Sequence, residues 1–111
     1  MITKSDFEAL ENQIDVYAKQ KQLTSEQGKT LLDEYLALIE SYFCQINQIE
    51  TINYDQLDTY HVVPINFQER FDYIHQRKHH FMGYRQMKTL ISELIKMNAA
   101  YKARQSHQNR S

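Results

Sequence analysis

Helix breakers are nearly missing from this sequence: 111 residues contain one proline and two glycines. Strands would need alternating apolar and polar positions with Gly or Asn turns, and no such pattern occurs. The single cysteine, Cys44, excludes an internal disulfide and fits a reducing compartment. It lies between Phe43 and Gln45, and no histidine precedes position 61 to serve as its base. We therefore read Cys44 as a small semi-buried filler. No apolar run approaches about 18 residues, and the N-terminus lacks the apolar core of a signal peptide. These absences argue against a membrane span and point to a soluble, cytoplasmic protein. There is no phosphate-binding glycine loop, no dinucleotide glycine pattern and no nucleophile elbow. No cofactor is implied.

What is present favours helices. Gln, Glu, Lys, Leu and Ile are abundant, and 13 aromatic residues supply large areas to bury. A chain of this length forms one domain and can bury a core without disulfide or metal. The net charge of −1 hides an asymmetry. Residues 1–55 carry ten acids and four lysines, whereas residues 56–111 carry four acids, nine Lys/Arg and all five histidines. Two readings follow. The halves pack together and neutralise each other, or a basic face is aimed at phosphates or an acidic partner.

Periodicity predicts four helices. The first spans 5–23, with Ser5 and Glu8 as a capping box and Phe7, Leu10, Ile14 and Tyr17 on one face. The second starts at Thr24–Ser25 and runs to about Glu50. Its broad apolar face comprises Leu32, Tyr35, Leu36, Ile39, Tyr42, Phe43, Ile46 and Ile49. Residues 51–65 break the period and form a long connection, extended before Pro64, with room for one short helical turn around 55–60. Asn66 and Glu69 predict a capped third helix whose core face is Phe67, Phe71 and Ile74. Residues 76–80 form either a bend or a continuation. A last helix covers about 79–104, with Phe81, Tyr84, Met87, Ile91, Leu94 and Tyr101 on one side. The expected fold is an all-α, four-helix bundle-like single domain over 1–104, with a flexible polar tail at 105–111.

Chemistry concentrates in residues 61–88, which hold four of the five histidines and five Lys/Arg. Arg70, Tyr73 and Arg77 fall on one helical stripe, and guanidinium forks suit phosphates and carboxylates. With His79, His80 and Arg85 they form a candidate surface for nucleic acid or an acidic protein partner. The bland reading pairs Arg70 and Arg77 with the acids of helices 1 and 2. His75 and His79, four apart, could share a metal on a continuous helix, but no carboxylate or cysteine stands at a ligand spacing beside them, so no metal site is assigned. Arg70 and His75 match an R-x4-H pattern that resembles the HEPN helical ribonucleases, which would make them a metal-independent catalytic pair. Positions five apart diverge by about 140° on a straight helix, so the pair converges only where the helix bends. Gly83, early in the last helix, suggests close helix packing. Seven tyrosines (35, 42, 54, 60, 73, 84 and 101) are too many to bury fully with satisfied hydroxyls in so small a domain. That surplus suggests an interface through helix 2 or helix 4, and hence a homodimer.

The second half resembles a known family. Pro64, Asn66, Glu69, Arg70, Tyr73, Ile74, Arg77, His80, Phe81, Tyr84 and the Leu90–Leu94 run are similar to the signature of the YpoC-like domain of Firmicutes. The resemblance implies a small, cytoplasmic, helical protein without an assigned reaction, found in the company of DNA replication and repair genes. Together the readings favour a non-enzymatic binding or adaptor domain that works through a basic helix 3–helix 4 junction. A ribonuclease and a structural homodimer subunit are the alternatives.

Overall fold

The computed structural model describes residues 1–108. They form α1 (Lys4–Lys19), α2 (Glu26–Asn47), a short 3₁₀ helix (Tyr54–Thr59), α3 (Phe67–Gln76) and α4 (Phe81–Gln108). No strand occurs among the described residues, so the all-α bundle-like fold expected from periodicity is the observed one. None of these helices is long and apolar enough to cross a membrane.

Helix ends follow local chemistry. α1 starts one residue earlier than expected, because Thr3 rather than Ser5 is the cap and its backbone N–H donates to the Asp6 carboxylate at 2.8 Å. It stops at Lys19, four residues short of the prediction. Lys21 there adopts the left-handed conformation, and the Gln22 N–H folds back to the Tyr17 carbonyl. Ser25 caps α2 by accepting from the Gly28 N–H at 3.1 Å. Gln48, again left-handed, ends α2. The turn foreseen near 55–60 is the 3₁₀ helix.

Asn66 does begin α3, but not as a side-chain cap. Its backbone is left-handed, with φ 57°, and no cap bond forms. Asn tolerates that conformation better than most residues, so its type serves the turn and not the cap. Segment 76–80 is a bend, and α4 begins at Phe81. That helix continues to Gln108, beyond the boundary expected at Arg104, while residues 109–111 of the expected tail lie outside the described residues.

The core is continuous. Phe7 and Ile14 of α1, six residues of α2 from Leu32 to Phe43, Phe67, Phe71 and Ile74 of α3, and Tyr84, Met87, Leu90, Ile91 and Leu94 of α4 are buried. Phe43, Phe67 and Phe71 stack in sequence at 4.5 and 5.2 Å, which seats α3 on the end of α2. Phe81, expected inside, is 54% exposed. As the first residue of α4 it precedes the stretch that α2 covers.

The long connection is tied down by an amide side chain. Buried Asn47 accepts from the Val62 N–H at 2.8 Å and donates to the Val62 carbonyl at 2.9 Å. This reproduces a strand-like pair and satisfies both backbone groups of a buried residue. Gln45 grips Ile2 in the same two-point way, at 2.9 and 3.0 Å, and so fixes the entry to α1.

Tyrosine hydroxyls are also satisfied internally. Tyr35 donates to Glu11 at 2.7 Å and Tyr84 to Asp15 at 2.8 Å, while Tyr42 accepts from Asn98. Tyr60 lies against the backbone of Asn53, Tyr73 under Arg77, and Tyr101 on the His61 ring. No buried tyrosine hydroxyl among the described residues is left without a partner, while Tyr54 stays partly exposed, so buried hydroxyls alone do not call for a homodimer interface. Helix 1 supplies the acceptors that the apolar pattern could not reveal.

Candidate binding site at the helix 3 to helix 4 junction

The six residues singled out by sequence do not share one environment. Arg70 points along the molecule to α4, where its guanidinium meets Glu93 at 2.8 Å and also donates to the Ile65 carbonyl. It is paired, as the bland reading held, but with the basic half of the chain and not with α1 or α2. Arg77 caps the end of α3, and its guanidinium carbon lies over the Tyr73 ring, 4.2 Å from the centroid. His79 meets Asp33 of α2 at 2.8 Å, and Lys78 joins the same carboxylate at 3.3 Å. His80 and Arg85 are exposed, and neither side chain makes a bond among the described residues.

Asp33 is the residue that sequence reasoning missed here. Burial, the largest single influence, raises its pKa, but the hydrogen bonds and charges of His79 and Lys78 together outweigh it and hold it below the ordinary carboxylate value. Nothing in the local pattern of α2 marks it, since its partners lie about 45 positions further along.

Arg70 and His75 are not brought together. Arg70 reaches Glu93 on α4, whereas His75 reaches Glu40 on α2 at 3.3 Å and sets its ring edge-on to Phe71. α3 is straight between the two, so they keep the divergence expected of that spacing. His75 and His79 are likewise separated, because α3 ends at Gln76. Among the described residues no three His, Cys, Asp or Glu side chains cluster as metal ligands do. Cys44 is half-buried, and burial together with nearby Glu40 pushes its thiol pKa up, which keeps it protonated and poorly nucleophilic.

The bend itself is built on Gly83. A Cβ there would stand 1.8 Å from the Arg77 carbonyl oxygen, so only glycine lets the last turn of α3 meet the first turn of α4. This close approach places the α3–α4 turn beside the α1–α2 turn. Between them lies an open notch of about 360 Å³ lined by Ala18, Lys21, Leu23, Thr24, His79, His80 and Phe81. Phe81 and Met82 remain 54% and 47% exposed at its edge, with Arg85 one turn further along α4. Three cations, Lys21, Arg77 and Arg85, and the exposed His80 ring have no carboxylate partner among the described residues and lie around this end of the bundle.

The chain matches the YpoC-like protein family over residues 2–106. It belongs to that family. The resemblance first seen in the second half thus extends over nearly the whole chain, α1 and α2 included. No curated protein and no solved structure matches the chain significantly. In this YpoC-like protein the signature positions divide by role. Pro64, Ile74 and Tyr84 are buried, Arg70 is a paired strap, and Arg77, His80 and Phe81 face outward.

Proposed function

We propose that this YpoC-like chain is a non-enzymatic binding domain that docks an acidic protein segment on the bundle end formed by the α1–α2 and α3–α4 turns. The observation that carries this reading is the notch lined by exposed Phe81 with Lys21 and His80, with exposed Met82 and Arg85 following on α4 and Arg77 at the end of α3, none of these basic residues having a carboxylate partner among the described residues. An apolar anchor surrounded by charge is the usual anatomy of a protein-binding patch. The apolar pair would bury a partner's aliphatic side chain, and the cations would steer and orient its acids.

Nucleic acid is the weaker candidate ligand. Arg70, Lys78 and His79 are engaged by Glu93 and Asp33, which interrupts a basic track along α3 and α4. The sequence pI of about 6.5 lies far below the values typical of nucleic-acid-binding domains. A catalytic reading finds no support in the separated Arg70 and His75.

Fluorescence anisotropy decides between ligands. Three labelled probes are compared at low and moderate salt: a Glu-rich peptide bearing one central leucine, single-stranded RNA, and duplex DNA. The expected result is saturable peptide binding that weakens at least about tenfold in Arg77→Glu/Arg85→Glu, a loss of roughly 1.4 kcal/mol. Tight RNA or DNA binding with no peptide binding would replace this reading with a nucleic-acid one. Peptide affinity indifferent to the charge reversal would remove the site.

A further inference from the structure

We infer that the groove between the last turns of α2 and the chain leading to the 3₁₀ helix is a second docking surface, one that takes a basic, arginine-bearing segment of a partner protein. Residues 30–69 contain seven Asp/Glu and no Lys or Arg. They span most of α2, the connection and the 3₁₀ helix. The surface that these elements share therefore carries charge of one sign.

Local structure builds the groove. Glu40 and Cys44 are one turn apart and share a face of α2. Gln48 turns left-handed and ends the helix, so Ile49 and Ile52 come back alongside its last turns. The Asn53 N–H donates to the Tyr60 hydroxyl at 3.0 Å, and the Asn53 side chain accepts from the Asp55 N–H, which holds the backbone on both sides of Tyr54. The result is an open groove of about 510 Å³ whose lining includes Glu40, Cys44, Ile49, Glu50, Ile52 and Tyr54. None of its lining residues is buried: the isoleucines rest one side on the core and show the other, and Tyr54 is exposed. No Lys, Arg or His lines it; the His75 ring meets Glu40 from α3 at 3.3 Å. Gln45 holds Ile2 at one wall, but Lys4 turns to the α4 side of α1 and pairs with Glu8. Burial, together with the charges of Glu40 and Asp72, raises the Tyr54 phenol pKa, which brings a carboxylate of α3 within electrostatic reach of that ring.

Charge and exposure select the occupant. Uniform negative charge repels nucleic acid and anionic lipid. No three ligating side chains cluster among the described residues to hold a metal ion. A small amine would stay largely in water in so open a groove, whereas small-molecule sites bury roughly 70–90% of their ligand. A protein segment can instead cover Ile49, Ile52 and Tyr54 with aliphatic side chains while its cations face Glu40 and Glu50. Arginine suits this lining better than lysine, because a guanidinium forks onto a carboxylate and also stacks on a tyrosine ring. Arg77 over Tyr73 makes the same stack within this chain.

The test uses the full chain and a labelled peptide in which arginines flank a pair of leucines, with its lysine and glutamate analogues. Binding is followed by anisotropy and located by NMR. Saturable binding of the arginine peptide is expected, with shifts at Ile49, Ile52 and Tyr54 and weaker binding of the lysine peptide. Glu40→Lys/Glu50→Lys, checked for native helicity by circular dichroism, should weaken it by about tenfold or more. Asp55→Lys/Asp58→Lys makes the same change of net charge on side chains outside the lining, and should weaken it by less than about threefold. Tyr54→Ala, at an exposed position, should weaken the arginine peptide by about threefold and the lysine peptide less. Arg77→Glu/Arg85→Glu, at the bundle end, should not weaken it, so failure here and failure of the proposed bundle-end site are distinguishable. The inference is overturned by absence of saturable binding, by shifts confined to another face, or by equal binding of the glutamate peptide. Equal losses in the two charge-reversal variants would also overturn it, leaving bulk attraction only, as would equal binding of the arginine and lysine peptides that Tyr54→Ala does not change. Self-association that Glu40→Lys/Glu50→Lys abolishes would overturn it too, by assigning the groove to a second copy of this chain.

Discussion

A missing side chain at position 83 decides how α3 meets α4. Glycine inside a helix ordinarily costs about 1 kcal/mol relative to alanine, so Gly83→Ala would stabilise an unconstrained helix. Here the added methyl would stand 1.8 Å from the Arg77 carbonyl oxygen, a backbone atom that cannot move without displacing the end of α3. Overpacking of this kind costs about 1–3 kcal/mol and sometimes more. We expect Gly83→Ala to lower the stability by about 2 kcal/mol net in urea denaturation. Ala99→Gly, at an exposed position of the same helix, should lose about 1 kcal/mol through propensity alone. A Gly83→Ala protein as stable as the parent would refute the steric account. The position of this glycine was legible in the sequence, and so was its packing role. Its contact was not, because Arg77 lies across a turn whose path depends on the whole bend. Asn47 teaches the same lesson, since a helix-terminal asparagine gives no sign that it will hold Val62.

Between elements, the α3–α4 turn is held to α2 by one carboxylate. Asp33 receives both His79 and Lys78, and they keep its pKa below the ordinary value of 3.8. A carboxyl whose folded pKa is depressed binds its proton more readily in the unfolded chain. Its stabilisation is complete above the unfolded value and is lost as pH falls through the folded one. Asp33→Asn should therefore cost about 0.5 kcal/mol near neutrality, a modest figure because the pair is about half exposed. The gap to the parent should close as the pH drops below about 4. Denaturation curves at a series of pH values check this, and a gap that did not narrow anywhere in the acid range would mean the contribution is not electrostatic. The helices themselves were legible from apolar spacing, and their faces largely match the buried set. Phe81 was misplaced because periodicity counts a residue inward whether or not a neighbouring helix extends far enough to cover it. The capping box expected at Asn66 failed for a related reason. Its residue types fit both a cap and a left-handed turn, and only the incoming chain direction chooses between them.

At the scale of the whole molecule, the acidic and basic halves neutralise each other only in part. Asp33 and Glu40 of α2 hold His75, Lys78 and His79, but Arg70 pairs within its own half, and Lys21, Arg77 and Arg85 at the bundle end have no carboxylate partner among the described residues. The acids of α1 serve a different purpose: Glu11 and Asp15 accept the hydroxyls of Tyr35 and Tyr84, whose rings are fully buried between α1, α2 and α4. One polar layer thus joins three helices. Burial and the adjacent carboxylates push both phenol pKa values far above the ordinary value of 10. A group whose folded pKa is raised contributes stability that is intact below its unfolded pKa and declines as pH rises beyond it. In the unfolded chain both phenols ionise freely above about pH 10, so alkali should pull the equilibrium towards unfolding. The expected signature is an alkaline transition in which tyrosinate absorbance from these two residues and loss of helical circular dichroism rise together, after the accessible tyrosines have titrated. Tyr84→Phe removes one ionisable group but leaves Asp15 without its donor. It should lower stability at neutral pH by about 1–2 kcal/mol, and that deficit should narrow above pH 10 as the linkage penalty on Tyr84 is removed. Tyrosines that all titrated while the helical signal stayed intact would show that the layer is open to water, and α1 would then be held to the bundle by its apolar face alone.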